Sequence, residues 1–135
     1  GQVNKKFILE KLMPSRKKFK LLNSIVWPVT WKRIQKKLRL YRKTNKIVVI
    51  DAPLLIEAGW HKHMDFLIVV KANKKQILAR AKKKISIKQA KLLLATQMPL
   101  SEKLKLADIV IDNNSSIAAM SRQAKKIYKL LELLS

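Results

Sequence analysis

The sequence contains no cysteine and only two glycines among its 135 residues. Without cysteine the chain can form neither a disulfide nor a thiolate metal site. No apolar run approaches the roughly 20 residues of a membrane span. The amino end, GQVNKKFILEKL, lacks the apolar core and small-residue cleavage site of a signal peptide. We therefore expect one domain with a real core, located in the cytoplasm, with the mitochondrion as the alternative compartment.

Acidic residues are also scarce. Only 8 stand against 31 lysines and arginines, which gives a formal net charge of +23. A balance this basic suggests polyanionic partners such as RNA, nucleotides or acidic membranes. The excess of lysine over arginine and the frequent isoleucine are equally typical of codon drift in an AT-rich genome. Because basic clusters are spread along the whole chain, we expect at most weak, sequence-blind binding to RNA.

The most informative stretch present is KIVVIDAPLLIEAG, residues 46–59. The β-branched run Ile47–Ile50 is typical of a strand buried on both faces of a parallel sheet. It ends at Asp51, at the strand end where α/β folds bind ligands. A buried carboxylate requires a metal, a cation or hydrogen-bond donors. Asp51 is therefore either a cap at a strand-to-helix turn or a carboxylate that faces a nucleotide or magnesium.

Strands and helices alternate along the rest of the chain. Apolar runs predict two more strands, at Phe66–Val70 and Ile109–Ile111. Strands separated by helices indicate βαβ units, a parallel sheet and right-handed crossovers. Apolar spacing and cap residues predict helices over Gly1–Met13, Val29–Tyr41, Leu54–Ala58 (a half-helix that Gly59 ends), Lys74–Lys84, Ile87–Gln97, Glu102–Leu106 and Ile117–Leu134. Ser15 precedes a further, basic helical stretch through Leu22, whose apolar spacing continues to Ile25–Val26.

Tryptophans and histidines offer further candidate site residues. Trp27-Pro28 interrupts the helical spacing and predicts the start of a new helix, because proline is tolerated in a first turn. Trp27 and Trp31 favour core packing, with a substrate wall as the alternative. His61 and His63 lie close together, which favours a polar loop over a weak metal site.

These residues together resemble the dephospho-coenzyme A kinase family, either the bacterial enzyme or the kinase domain of the eukaryotic bifunctional coenzyme A synthase. The family's signature is an apolar strand followed by Asp-x-Pro-Leu-Leu-x-Glu, which stands here at residues 51–57. The extension Ala58-Gly59-Trp60 resembles the eukaryotic form. Further matches follow in the family's order at Gly1–Lys5, Ile25–Pro28, Gln76 with Arg80, Ala90–Met98, Glu102–Asp108 and Val110–Asn113.

The resemblance implies an α/β fold, a three-layer parallel-sheet domain of the P-loop kinase type. It implies a single domain over residues 1–135, in which 1–45 form the helical substrate-binding part, 46–72 and 107–135 the core sheet and helices, and 73–100 the lid. It also implies ATP and Mg²⁺ as cofactors. The reaction would be phosphorylation of the ribose 3′-hydroxyl of dephospho-coenzyme A, the last step of coenzyme A biosynthesis.

The same resemblance assigns roles to individual residues. Asp51 would lie beside the magnesium and the phosphates, and Asn113 near adenine. Arg80 and Lys84 would reach over the ATP phosphates from the lid and neutralise developing charge. Glu57 would either orient substrate or pair with a local cation. The implied substrate-binding residues are Trp27, Pro28, Pro53, Leu54 and Glu57.

Two departures from the family pattern qualify this expectation. The family's first strand, its phosphate loop GxxxxGK[ST] and an acidic pair are not among these residues. Positioning and charge stabilisation supply most phosphoryl-transfer catalysis, so we expect these 135 residues alone to be inactive. The lid keeps Arg80, but Lys84 stands where a second arginine is usual, and the turn after it is about two residues shorter. The alternative function is a kinase-derived, non-catalytic protein that binds RNA or a ribonucleoprotein through its basic surface.

Overall fold

The fold combines one long helix, a small parallel sheet and four shorter helices. The computed structural model describes residues 4, 7–12 and 14–134. In chain order the helices and strands are α1 (Arg16–Tyr41), β1 (Ile68–Lys71), α2 (Lys74–Ala81), α3 (Ile87–Ala95), α4 (Leu100–Leu106), β2 (Ile109–Asp112) and α5 (Ile117–Leu134). A π-helical turn, Ile8–Leu12, precedes α1, and a 3₁₀ turn, Trp60–His63, precedes β1. Of the predicted first helix, Gly1–Met13, residues 1–3, 5, 6 and 13 lie outside the described residues.

The sheet consists of β1 and β2, which pair in parallel from Ile68 opposite Ile109 to Lys71 opposite Asp112. Val69, in the middle of β1, is buried, whereas Val70 on the opposite face of the strand is 53% exposed, so only one face of β1 is covered at this point. The Asp108 carboxylate fixes the entry to the sheet by accepting a 2.7 Å bond from the Leu67 amide. The parallel pairing and two of the three predicted strands are thereby confirmed, although β1 begins two residues later and ends one residue later than predicted.

The third predicted strand, Ile47–Ile50, is wrong. The segment forms no ladder with any described residue, and Val49 is 77% exposed. A strand depends on the backbone hydrogen bonds of a neighbour, and composition alone cannot supply that neighbour. The β-branched composition of Ile47–Ile50 is therefore suited to a strand, but no described residue provides the neighbouring strand that it needs.

Helix α1 corrects the predicted break at Trp27-Pro28, because it continues unbroken through Pro28. Ser15 caps its start, with its hydroxyl accepting a 3.4 Å bond from the Lys18 amide. Proline removes one helical hydrogen bond and strains one turn. The carbonyl that lacks a partner is that of Ser24, four residues before Pro28. Ser24 and Val29 are exposed, so water can donate a hydrogen bond to this carbonyl.

The two helices of the predicted lid are separately capped. Asn73 caps α2 by accepting a 2.9 Å bond from the Gln76 amide, as expected. A reciprocal Ser86–Gln89 capping box starts α3. Because α2 already ends at Ala81, Lys82–Lys84 form a turn and not the helix that was predicted for them. The capping box fixes where α3 begins, so the chain must change direction within this short connection.

Smaller corrections concern element ends. Helix α3 stops at Ala95, two residues before the predicted Gln97, and α4 starts at Leu100. The predicted half-helix at 54–58 is a series of turns, which Gly59 ends in the left-handed region at φ 74°. Helix α5 has its predicted bounds. Across the described ranges, no helix has both the length and the apolar character to cross a membrane.

The core is small and lies beside the Asp-x-Pro motif. Its buried side chains are Leu55 and Ile56 of the motif, Val69 of β1 and Ala90 of α3. Burial of an aliphatic side chain stabilises a fold by about 1.5–3 kcal/mol. The two motif residues and Val69 also line one cavity, so this part of the core lies beside the candidate site residue Asp51.

Candidate functional site

The motif turn, residues 51–59, is held by a buried ion pair. Glu57 Oε1 lies 2.9 Å from Lys103 Nζ, and the two side chains are only 14% and 13% exposed. The same carboxylate oxygen accepts a 2.7 Å bond from the Met98 amide. Lys103 Nζ also donates to the Pro53 carbonyl at 3.1 Å. Of the two roles that the sequence left open for Glu57, the structure shows pairing with a local cation.

Asp51, at the start of the same turn, is exposed and makes no hydrogen bond or ion pair within the described part of the chain. It lines a cavity of about 930 Å³, together with the segment before it and with residues of β1. A carboxylate in this position keeps its full capacity to accept bonds. Because its neighbours are fixed by Glu57 and Lys103, its backbone is positioned although its side chain is unpaired.

The second cluster joins α2 to the turn after β2. Arg80 Nη1 donates to the Asn113 carbonyl at 2.8 Å, and Nη2 donates to the Ser115 carbonyl at 3.5 Å. The Asn73 amide donates to Asn114 Oδ1 at 2.7 Å, and Gln76 Nε2 donates to the Asn114 carbonyl. The structure thus brings the predicted residues Arg80 and Asn113 into direct contact. Four hydrogen bonds connect α2 and its cap residue Asn73 to this turn.

Asp112 is the last residue of β2, and Asp51 follows the apolar run Ile47–Ile50 in a similar way. Unlike Asp51, Asp112 is hydrogen-bonded. Its carboxylate accepts a 2.8 Å bond from the Asn114 amide and lies 3.2 Å from Lys71 Nζ. The Asn114 bond, supported by Lys71, lowers the pKa of Asp112. Gln123 of α5 bonds both the amide and the carbonyl of Asp112 at 2.9 Å. These bonds make the 112–115 turn a fixed platform for Arg80.

Lys84 is not brought into this cluster. It is exposed in the turn between α2 and α3, and within the described residues its side chain makes no bond. Lys84 lies beyond the carboxyl end of α2, whereas Arg80 lies inside the last turn of that helix. The two cations predicted to act together are therefore held differently.

A third cluster is aromatic and joins α1 to the 3₁₀ turn. The rings of Trp31 and Trp60 stack with centroids 5.5 Å apart and planes 20° apart, and His63 lies 5.0 Å from Trp31. Beside this stack is a shallow pocket of about 250 Å³. Its lining residues are Asn23, Ser24, Trp27, Pro28, Trp31, Ala58 and Trp60.

This pocket contains Trp27 and Pro28, which the sequence assigned to substrate, but Pro53 and Leu54 do not line it. Pro53 lies at the larger cavity instead. Trp60 was missed as a site residue. Its position directly after the motif and the i, i+4 spacing of Trp27 and Trp31 are the signals that could have indicated it.

Metal-binding side chains are sparse. In residues 4, 7–12 and 14–134, no group of three or more histidines, cysteines, aspartates or glutamates could hold a metal ion. His63 contacts Trp31 instead, and His61 Nδ1 is buried without a hydrogen-bond partner. Magnesium commonly takes only one or two protein carboxylates and completes its shell with phosphates and water. The unpaired Asp51 fits that kind of binding.

Comparison with known proteins first gives the class of fold. The structure is similar to a solved dephospho-CoA kinase from Campylobacter jejuni, with a TM-score of 0.63 and 27% identity, over 95% of this chain and 65% of that one. Together with the parallel sheet and the capped helix pair at the ends of its strands, this likeness defines an α/β fold of the P-loop kinase type.

The family follows from the sequence. The family model described as dephospho-CoA kinase matches residues 1–119. The chain is 36% identical to a dephospho-CoA kinase of Carboxydothermus hydrogenoformans, over 91% of this chain and 61% of the relative. It is 33% identical to one from Aquifex aeolicus, over 97% and 67%. The chain belongs to the dephospho-CoA kinase family and spans about two thirds of the length of these relatives.

Proposed function

We propose that this chain is the substrate-binding, lid and carboxyl-terminal part of an ATP-dependent dephospho-CoA kinase. The reaction is transfer of a phosphoryl group from ATP to the ribose 3′-hydroxyl of dephospho-CoA, and the compartment is the cytoplasm. Family membership supports the activity. The observation that carries the assignment of the site is the unpaired Asp51, which is the one motif carboxylate left available while Glu57 is buried in an ion pair.

The residues present fit Mg²⁺ and part of an ATP site. Magnesium supplies charge neutralisation at the phosphates, and Asp51 is the side chain of this chain that would hold it. No sequence of the form GxxxxGK[ST] occurs in the 135 residues, so they contain no backbone cradle for the β- and γ-phosphates. Turnover accordingly needs a phosphate loop supplied from outside these residues.

Arg80 is the residue proposed to act on the ATP phosphates. Its guanidinium is oriented by the Asn113 and Ser115 carbonyls, which leaves other N–H groups of the planar fork for a ligand. A preorganised donor of this kind stabilises developing negative charge without paying for reorganisation. Asn113 would place adenine beside the same turn, and Lys84 would contribute an unoriented charge.

The aromatic pocket is proposed to hold dephospho-CoA. Helix α1 contributes Trp27, Pro28 and Trp31 to its lining, and Trp60, which stacks on Trp31, comes from the 3₁₀ turn. Apolar pockets with a few polar groups at the edge are typical ligand sites, and here Asn23 and Ser24 supply those groups. Pro53, Leu54 and the exposed edge of the motif turn would contact the part of the substrate nearest the transferred group.

Binding and turnover can be tested separately on the purified chain. Titration with dephospho-CoA should change tryptophan fluorescence, and Trp27→Ala should weaken binding at least tenfold. A matched control is Tyr41→Ala, which removes an exposed aromatic ring of the same helix outside the pocket. Unchanged affinity in the Trp27 variant would contradict the assigned pocket.

The turnover assay uses ATP, Mg²⁺ and dephospho-CoA, with formation of coenzyme A as the readout. We expect no detectable product from the 135 residues alone. Steady formation of coenzyme A that Asp51→Asn abolishes would show that the phosphates are held by residues other than a phosphate loop. A protein that also includes such a loop should be active and should lose activity with Asp51→Asn.

A further inference from the structure

Helix α1 presents an apolar stripe to the outside of the fold. Leu21 is 63% exposed, Ile25 is 62% exposed and Val29 is 55% exposed. The three residues are spaced four apart, and successive residues of an α-helix lie roughly 100° apart around its axis, so the three fall within an arc of about 80°. We call Leu21, Ile25 and Val29 the outer stripe of α1.

The half-buried side chains of α1 lie on the opposite side of the helix. Phe19, Trp27 and Ile34 are half-buried, and Leu38 on the same side lines the large cavity. Among residues 4, 7–12 and 14–134, no side chain buries any member of the outer stripe. Single exposed apolar residues are common on protein surfaces, whereas a contiguous group of them marks an interaction surface.

Basic residues continue the outer stripe at both ends. Lys18 lies about one turn before it, and Lys32 and Lys36 follow it at helical spacing on the same side. All three lysines are exposed. None of the 26 residues of α1 is acidic, and the π-helical turn that packs on it, Ile8–Leu12, contains one acid and one base. The surface therefore combines apolar side chains in its middle with positive charge on either side.

Charge and shape together select the class of partner. A second copy of this chain carries the same helix and the same net charge of +23, so two outer stripes would repel each other. A nucleic acid would set its phosphates against three aliphatic side chains that donate no hydrogen bond. Peptide helices bind in apolar grooves, whereas no residue of the outer stripe lines either of the two cavities described above. A flat surface with negative charges above an apolar layer matches both features, and a bilayer that contains anionic lipid has this structure.

We propose that α1 docks on the surface of a membrane that contains anionic lipid. The helix lies parallel to the bilayer plane, with the outer stripe inserted among the headgroups. Lys18, Lys32 and Lys36 bind the lipid phosphates from either side, since the long side chain of lysine lets its charge reach the headgroups. This docking is peripheral and needs no membrane-spanning helix, and the described part of the chain contains none.

Sedimentation with lipid vesicles tests the docking on the purified chain. One set of vesicles contains phosphatidylglycerol and phosphatidylcholine in equal parts, and the other contains phosphatidylcholine alone. The surface potential of anionic lipid strengthens binding about fivefold for each basic residue close to it. With three lysines beside the outer stripe, the chain should bind the anionic vesicles at least about a hundredfold more tightly than the neutral ones.

A matched pair of variants tests which face of α1 binds. Ile25→Glu and Val26→Glu make the same change of charge at neighbouring β-branched residues. Ile25 is the middle of the outer stripe, whereas Val26, which is 44% exposed, points roughly 100° away from it. Ile25→Glu should weaken binding to anionic vesicles at least about 30-fold, because it loses both the charge balance and the burial of an aliphatic side chain. Val26→Glu should weaken it no more than about fivefold, the effect of charge alone.

Circular dichroism checks that both variants keep the helices of the parent chain. Leu21→Gln is a second variant of the outer stripe that introduces no charge, and it should weaken binding about tenfold. Three results would overturn the proposal. Equal binding to both kinds of vesicle would show that no anionic surface is recognised. Equal weakening by Ile25→Glu and Val26→Glu would show adsorption through net charge alone. Binding to soluble polyglutamate that is tighter than binding to the vesicles, and that Ile25→Glu abolishes, would show that the partner is an acidic peptide. Because none of these measurements involves substrate, they can fail while the proposed kinase function holds, and the reverse is also true.

Discussion

Two short apolar runs in this chain are almost the same in sequence and differ completely in structure. Ile-Val-Val-Ile at 47–50 and Ile-Val-Ile at 109–111 are both followed by aspartate. The second run is a strand paired in register with β1, whereas the first is extended and unpaired. The difference shows that β-branched composition gives a segment the capacity to join a sheet, and that the neighbour decides whether it does.

The aspartates that follow the two runs differ in the same way. Asp112 is bonded to Asn114, Lys71 and Gln123, so the turn after β2 is a fixed platform. Asp51 has no partner among the described residues, and the turn after it is held six residues later, by Glu57. One aspartate stabilises its turn, and the other remains available for a ligand.

The largest expected effect concerns the ion pair between Glu57 and Lys103, which holds the turn after Asp51. Lys103→Met should leave the largely buried Glu57 carboxylate with its Met98 amide bond but without a countercharge, which costs up to about 3–5 kcal/mol of unfolding free energy. Lys105→Met is the matched control, because Lys105 lies in the same helix and pairs with Glu102 at the same 2.9 Å, but with side chains 70% and 50% exposed. That exposed pair is worth about 1 kcal/mol or less.

Urea denaturation followed by circular dichroism measures both variants. The double variant Glu57→Leu/Lys103→Met should recover much of the lost stability, because an apolar pair leaves no buried charge. Equal losses from Lys103→Met and Lys105→Met would mean that the motif turn is held by its aliphatic contacts and not by the ion pair.

The next effect concerns Arg80, which is hydrogen-bonded to the turn after β2, and it is measured through activity. In a protein that includes a phosphate loop, Arg80→Ala should lower turnover by about 10²-fold, the usual effect of losing one preorganised donor. Lys84→Ala should lower turnover by less than about tenfold, because Lys84 is not oriented by the platform. Steady-state kinetics of coenzyme A formation measures both.

Arg80→Lys is the informative control for this pair. It keeps the charge but loses the planar fork that reaches the Asn113 and Ser115 carbonyls, so it should resemble Arg80→Ala more than the parent protein. Small and equal effects at positions 80 and 84 would show that the lid residues act only as a solvated basic face.

The two aspartates should also differ in how stability depends on pH. Because the pKa of Asp112 is lowered below its ordinary 3.8, the folded protein gains stability above that pH and loses it as the pH falls through the folded-state pKa. Asp112→Asn should lower stability near neutral pH and make the loss in acid shallower. Asp51→Asn, which breaks no contact, should change stability by less than about 0.5 kcal/mol and keep the acid loss caused by Asp112.

Thermal unfolding at several pH values between neutrality and strong acid measures these profiles. A wild-type acid profile in the Asp112 variant would contradict the assigned bonds. A loss of stability in Asp51→Asn comparable to that in Asp112→Asn would show that Asp51 has partners that the structure does not record.

Local signals explain most of what the sequence predicted correctly. Asn73 and Ser86 act through their own backbone neighbourhoods and cap helices as predicted, and Gly59 has the expected left-handed backbone although it ends turns and not the predicted half-helix. The long continuous helix through Pro28 and the unpaired Ile47–Ile50 depend on solvent exposure and on a sheet neighbour, which no local pattern contains.

The site shows the same division. Asp51, Glu57 and Arg80 could be selected as candidates because the motif and its order identify them. The partner of Glu57 could not, since Lys103 is one of many lysines and comes within 2.9 Å only through the packing of α4. Similarly, only the folded chain places Trp60 on Trp31. Sequence thus indicated the candidate residues, and the fold shows which of them have partners and which, like Asp51, have none among the described residues.

The smallest expected effect concerns positive charge. Helix α1 carries basic residues in its first and last parts and no acidic one, and α5 carries four basic residues and one acidic residue. Each phosphate neutralised adds about 0.9 for a duplex, or 0.7 for a single strand, to the slope of log affinity against log salt. The paired strands are aliphatic and offer no aromatic platform for exposed bases.

We therefore expect RNA binding in the non-specific range of roughly 10⁻⁴–10⁻⁶ M near physiological salt, equal for unrelated sequences. Fluorescence anisotropy with two unrelated RNAs over a salt series measures this, and submicromolar, sequence-selective binding would show that the basic surface is a dedicated RNA site and not a consequence of composition.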